Sequence, residues 1–278
     1  MSPLIYGVIR GLTPPPRQVN LMSSGWSPGE IVQVKPLTMT SGLTHLRCRW
    51  LLPAVLSTTA GAVDVIGFLV LGGLFTAHIT GNVVIVAAHY VTGGFSQVGP
   101  LLAVPVFMAV LGLVTLASGA IARAGSSPLR PLLSLQAILL AGFLGLGVGF
   151  GPFPDADTSM AVLAGMLGVA AMATQNVLVK LALKDTPSTA VMTTNITQLT
   201  IDLATLAHGR GGRDEVAKAQ RRASVTFACV VGFVVGCAAG AALEVHFGIW
   251  ALALPVVLAG LAVPLGELSG DGRTPTRN

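Results

Sequence analysis

Thr76-Ala77-His78-Ile79-Thr80-Gly81-Asn82 breaks an apolar stretch with hydroxyl, imidazole and amide groups, and Thr189-Ala190-Val191-Met192-Thr193-Thr194-Asn195 echoes it in the second half of the chain. Thr, Ala, Thr and Asn recur at matching places, and Ile is matched by Met. Seven residues beyond each Asn stands an ionisable side chain, His89 in one copy and Asp202 in the other. A polar element precedes each copy, Asp64 in the first and Gln175-Asn176 in the second. The surrounding chain is oily: charged residues are 10% of its 278 and apolar residues 53%, with a mean hydropathy of +0.78. A soluble domain carries roughly 25% charge. So little charge excludes a soluble enzyme, a disordered chain, a coiled coil and a nucleic-acid module, each of which needs charge or a polar majority.

Eight apolar runs occupy residues 51–74, 77–91, 101–122, 132–151, 160–183, 189–207, 224–245 and 247–265. About 20 apolar residues cross a bilayer as a helix. Six runs meet or approach that length. The run 77–91 is short and carries Thr80-Gly81-Asn82, and 189–207 is the most polar, with Thr193, Thr194, Asn195, Thr197, Gln198, Thr200 and Asp202. If all eight cross with Arg47 and Arg49 inside, then Arg123, Arg130, Lys180 and Lys184 end outside, against the positive-inside tendency. If those two runs dip in and return, every Lys and Arg falls on one side and Asp155, Asp157 and Glu244 on the other.

The expected fold is therefore an all-α membrane protein with six transmembrane helices plus two re-entrant or broken helical segments. Eight full crossings is the alternative. With three crossings per half, about 50–151 and 158–267, the halves form an inverted 3+3 repeat, a recurrent transporter design. The expected setting is the inner (plasma) membrane, with the lipid bilayer as partner and both termini cytoplasmic.

Residues 1–45, with Pro14-Pro15-Pro16 and no spanning run, are expected as a mobile cytoplasmic tail, 46–267 as the membrane domain and 268–278 as a second tail. No signal peptide is expected, since the first long apolar run begins only near Leu51. Met1, Met22 and Met39 are alternative starts. The formal charge of +5 sits in short loops and reads as topology. Cys48, Cys229 and Cys237 show no CxxC or Cys/His metal spacing, so neither a metal nor a disulfide framework is expected. Gly232, Gly236 and Gly240, like Gly145 and Gly149, read as close-packing seams, within the chain or across a homo-oligomer. Pro105, Pro255 and Pro264 are expected to bend or end helices.

Asp64 lies about midway between Arg49 and Thr80. A carboxylate at such depth costs about 2.5 to 3.5 kcal/mol on insertion scales. Its functional reading is proton coupling or cation coordination. The structural one is a neutral acid bonded to a backbone carbonyl or to Asn82. Thr80-Gly81-Asn82 reads as a helix interruption, either offering freed backbone groups to a solute or kinking and satisfying itself. His78, Asn82 and His89 share one helical face if that run is helical, as do Asn195, Gln198 and Asp202. Gln175 and Asn176 bridge helices or face a solute. His78 and His89 are too far apart for a ligand pair, and no HExxH is present. Lys180 and Lys184 read as anchors that snorkel to headgroups. The basic loop 210–222 orients the chain, with anionic-lipid contact secondary.

Gly61-Ala62-Val63-Asp64, then Gly72-Gly73-Leu74-Phe75-Thr76-Ala77-His78-Ile79-Thr80-Gly81-Asn82, resembles the opening of the YoaK-like family of bacterial integral membrane proteins, defined by a domain of unknown function. Ala173-Thr174-Gln175-Asn176 and Thr193-Thr194-Asn195 are similar too, with Thr194 standing where the family has Gly. The resemblance covers about residues 50–266 and implies a multi-pass inner-membrane protein with no established activity. The residues themselves favour a secondary transporter or channel-like permeation protein for an unidentified small solute. Its expected binding residues are Asp64, His78, Thr80, Gly81, Asn82, Gln175, Asn176, Thr193, Asn195 and Asp202, with Asp64 or Asp202 as a proton-linked switch. No cofactor and no catalytic residue is expected. A non-transporting scaffold is the first rival. A membrane enzyme is the second, weakened by the lack of a Gly-x-Ser-x-Gly elbow or a zincin motif. No GxxxxGK[ST] loop is present for direct ATP drive.

Overall fold

Residues 39–92, 98–183, 186–208 and 212–270 are described by the structure, a computed structural model. Residues 1–38 of the tail expected at 1–45, residues 271–278 of the one expected at 268–278, the alternative starts Met1 and Met22, Lys184 and Arg210 lie outside them. Eight α-helices run among the described residues: α1 Met39–Val70, α2 Ile79–Thr92, α3 Val98–Arg123, α4 Leu129–Phe150, α5 Ser159–Ala182, α6 Met192–His208, α7 Arg213–Phe247 and α8 Ala253–Gly270. A 3-10 turn at Gly248–Leu252 joins the last two. Helix α1 begins at Met39, inside the segment expected as tail.

Five stretches are long and apolar enough to cross a membrane: Trp50–Val70, Val98–Arg123, Leu129–Phe150, Ser159–Ala182, and the continuous Arg213–Glu267 that holds α7 and α8. This is the make-up of a multi-pass membrane protein. Helix α2, at 14 residues, is only about 21 Å long. Helix α6 has 17 residues, several of them Thr, and is not among the five.

Two contacts mark the ends of the bundle. Arg130 at the start of α4 pairs with Glu267 near the end of α8 at 3.0 Å. At the other end, the Val98 N–H that opens α3 donates to Asp157 Oδ1, just before α5, at 2.7 Å. Leu52 and Leu56 of α1 cluster with Leu132 and Leu133 of α4, with Val177, Leu178 and Val179 of α5, and with Ala262 of α8, so α1 starts at the Arg130 end. Gly147 approaches Ile249 while Gly266 approaches Leu133, so α8 runs back along α4. Helices α1, α4 and α7 thus leave the Arg130 end, and α3, α5 and α8 return to it. Helices α1 and α5 are the most enclosed, with 61% and 72% of their apolar windows buried against 17% for α3. They form the wall on which the site is built.

The seam read at Gly232, Gly236 and Gly240 lies inside the chain. These glycines pack on Ala54, Thr58 and Ala62 of α1, with the two helices parallel. A Cβ on Gly232 would stand 2.8 Å from the Ala54 carbonyl oxygen, which is why the close approach needs small residues. At Gly145 and Gly149 the reading as a seam within the chain is corrected: both meet open space there, and α4 uses Gly147 and Gly142 for its contacts inside the chain. Pro105 and Pro264 sit within α3 and α8 and end neither, and Pro255 lies in the first turn of α8.

Candidate functional site

Two chain reversals build the site. After Val70 the backbone leaves the helix through Gly72 and Gly73 at φ 62° and 99°, a region closed to most side chains. Residues 71–78 then fold back along α1 until they meet Asp64. Asp64 Oδ1 accepts from the Ala77 N–H at 2.6 Å, the His78 N–H at 3.3 Å and the Thr76 hydroxyl at 3.4 Å. Its Oδ2 lies 2.7 Å from His78 Nδ1. The carboxyl is buried at 4% exposure, and these four partners replace the water it has lost. Asp64 is therefore neither unpaired nor bonded to Asn82.

Asn82 serves the turn instead. Its Oδ1 accepts from the Phe75 N–H at 2.9 Å and its Nδ2 donates to the Phe75 carbonyl at 2.7 Å, so one amide satisfies both backbone groups of an unwound residue. The helix break consequently lies at 71–78, and Thr80-Gly81-Asn82, read as the interruption, forms the first turn of α2. Gly81 is required by packing: a Cβ there would stand 2.8 Å from the Phe75 ring.

The second reversal, ahead of α6, uses the same devices with other atoms. Gln175 Nε2 donates to the Thr189 hydroxyl at 2.8 Å and to the Leu56 carbonyl at 3.0 Å. Its Oε1 accepts from Gln136 Nε2 at 2.6 Å. Asn195 Nδ2 donates to the Ser188 carbonyl at 2.5 Å, the same seven-residue reach as Asn82 to Phe75. Ser188 occupies the place of Phe75 and has no ring. Thr194, exposed, therefore fits where the first copy must have Gly81.

The two reversals meet at a cavity of about 440 Å³. Ala77, His78, Ile79 and Thr80 line it from one side, and Ala190, Val191, Met192 and Thr193 from the other. Helix α3 adds Phe107, Leu111 and Thr115, one face at four-residue spacing, and α5 adds Asn176 and Lys180 among others. Of the expected binding residues, His78, Thr80, Asn176 and Thr193 are brought together here. Asp64, Gly81, Asn82, Gln175 and Asn195 stand behind them as framework. Asn176 also donates to the Met172 carbonyl at 2.9 Å.

Asp202 is elsewhere. Fully buried, it receives Arg222 of α7 through Nε at 2.8 Å and through Nη2, and Gln198 Nε2 at 3.0 Å. The Arg222 guanidinium holds its carboxyl below the usual carboxylate value, so a proton-linked switch is not favoured at this position. The stripe read through His78, Asn82 and His89 also dissolves, since His78 precedes α2 and His89 is half-buried with its Nδ1 unpartnered among the described residues. Sequence reasoning missed Lys180, Thr115 and Gln136 as members of the site and its frame. Gln136 was visible as an amide within an oily run. Among the described residues, no group of three or more metal-ligating side chains forms.

A family model described as a protein of unknown function, DUF1275, matches residues 52–265. No curated protein and no solved structure matches the chain.

Proposed function

We propose a transport function for this chain, which belongs to the DUF1275 family of proteins of unknown function. It is a secondary transporter or channel-like permeation protein for a small solute, bound in the cavity between the two reversals. The carrying observation is that both Thr-rich segments wall one cavity at the starts of two short helices. Interrupted helices that meet in this way are how many transporters present backbone dipoles to a solute. His78 touches the buried carboxyl of Asp64 and lines the cavity. A proton on that pair is the coupling step we propose.

The finer topology belongs to the same proposal: six crossings, with α2 and α6 as re-entrant helices and both termini cytoplasmic in an inner membrane. Its support is internal. Exchanging α1 with α5, α2 with α6, α3 with α7 and α4 with α8 returns the same set of helix neighbours, as an inverted 3+3 repeat requires. The paired reach of Asn82 to Phe75 and of Asn195 to Ser188 agrees with it. The YoaK-like, bacterial assignment is proposed on the Asp64 and Phe-x-x-His-x-Thr-Gly-Asn string. No catalytic role is proposed.

Purified protein in liposomes tests the function. Across a broad solute panel, at least one flux should appear that an imposed proton gradient drives and that Asp64→Asn abolishes, while Asp64→Asn protein still reconstitutes. No flux above protein-free liposomes for any solute would defeat the proposal.

A further inference from the structure

Charge in the cavity is one-sided. Its walls carry no Asp or Glu; His78 is already paired with Asp64 behind the wall, whereas Lys180 has no ion-pair partner among the described residues. The rest is apolar or neutral: Phe107, Leu111, Val177 and Leu181, with the Thr115, Thr193 and Asn176 side chains between them. Helices α2 and α6 both begin at the cavity, at Ile79 and Met192. First-turn N–H groups lack partners within a helix and carry partial positive charge, apart from the Gly81 N–H, which donates to the His78 carbonyl at 2.8 Å. The nearby carboxyl of Asp64 is occupied by Ala77, His78 and Thr76 from behind that wall.

We infer that the cavity takes a small monocarboxylate with an apolar body. Its carboxylate sits against Lys180 and the first turns of α2 and α6, and its body lies along Phe107, Leu111 and Leu181. The volume suits a compact ligand, since small-molecule pockets run roughly 300–1,000 Å³. Lys180 is an exposed member of the cavity wall, so a neutral analogue forgoes the charge-assisted hydrogen bond that a carboxylate makes there, and a cationic one meets Lys180 in repulsion. The occupant is a free solute; a lipid headgroup is the other source of an anion, and competition with phosphatidylglycerol separates the two. The inference deepens the transport proposal by naming the substrate class, and rests on that proposal only for the claim that the ligand crosses.

Binding decides it without flux. Purified protein in nanodiscs of neutral lipid is titrated with short aliphatic and aromatic monocarboxylates and with the primary amide and amine of each skeleton. At least one carboxylate should bind while its amide and amine do not. Lys180→Gln should weaken that carboxylate roughly tenfold or more, the loss expected for one charge-assisted hydrogen bond. Lys180→Arg should retain it, and Arg123→Gln, which removes an exposed cation outside the cavity, should leave it unchanged. Amides or amines binding as well as carboxylates, or full affinity in folded Lys180→Gln protein, overturns the inference. So does a site filled by phosphatidylglycerol that no carboxylate displaces. Lys180-dependent carboxylate binding with no liposome flux sustains the inference and defeats the transport proposal. Asp64-dependent flux of a neutral or cationic solute with no carboxylate binding does the reverse.

Discussion

At the scale of single residues, the two reversals are one design carried out with different side chains, and that difference can be measured. Gly81 lies under the Phe75 ring, whereas Thr194 is exposed and Ser188, in the place of Phe75, carries no ring. Gly81→Ala should cost about 1–3 kcal/mol of stability through overpacking. Thr194→Ala should stay within about 0.5 kcal/mol, as exposed substitutions do. Repeating Gly81→Ala in a Phe75→Ser background should remove most of its penalty, read as a coupling energy of about 1 kcal/mol in a double-mutant cycle. An undiminished penalty would mean that the ring is not what excludes a methyl group. Asp202 gives a pH signature. Its folded value is lowered from 3.8 by Arg222. The pair therefore contributes in full at pH values above the unfolded value, and its contribution is lost as pH falls through the lowered one. Arg222→Gln leaves a buried carboxylate without its cation and should cost about 1–3 kcal/mol near neutrality, at the modest end because the arginine side chain is 51% exposed. Thermal melts of the two proteins should draw together on acidification.

At the scale of elements, the seam between α1 and α7 and the open glycines of α4 predict opposite outcomes for one substitution. Gly236→Ala drives a methyl group into the Thr58 backbone, which a packed helix cannot yield. A loss of about 3 kcal/mol is expected. Gly145→Ala meets nothing and should raise the melting temperature, by the roughly 0.5–1 kcal/mol that alanine gains over glycine in a helix. Equal effects would remove the distinction between seam and surface. This pair also marks what was legible beforehand. Four-residue glycine spacing announces that a close contact is available; whether a neighbour comes to use it depends on tertiary placement. The short helices were legible for the same reason in reverse: 77–91 lacks length and 189–207 lacks oil, and both properties are local. The break in the first copy was misread by several residues. The conspicuous Thr80-Gly81-Asn82 was already helical, and the reversal was carried by Gly72 and Gly73. The Asp64–His78 pairing could not be read at helical spacing, because it exists only once those two glycines have turned the chain back on itself. That Lys180, read as an anchor, also lines the cavity was not legible, since nothing local tells a lysine at a helix end what lies beside it.

At the scale of the whole molecule, the alternation of helix directions makes a topology that can be tested from either side of a membrane. Single cysteines at Asp155 and Glu244 should react with an impermeant maleimide added outside intact cells. Cysteines at Arg123 and Arg213 should react only after permeabilisation. Reaction of Arg123→Cys from outside would favour eight full crossings over six and would separate the two halves that the proposed repeat relates.

The parallel seam also has a consequence for how the protein is made. The glycines that cover α1 lie in α7 and are translated long after it. At about 5–20 residues per second, a ribosome delivers them on the order of ten seconds after α1 has emerged. During that wait the groove around Gly61 is held open to lipid or to the insertion machinery, with nothing of its own chain to fill it. A nascent chain stopped after His208 never receives its lining, and quality-control proteases should clear such fragments faster than the finished protein.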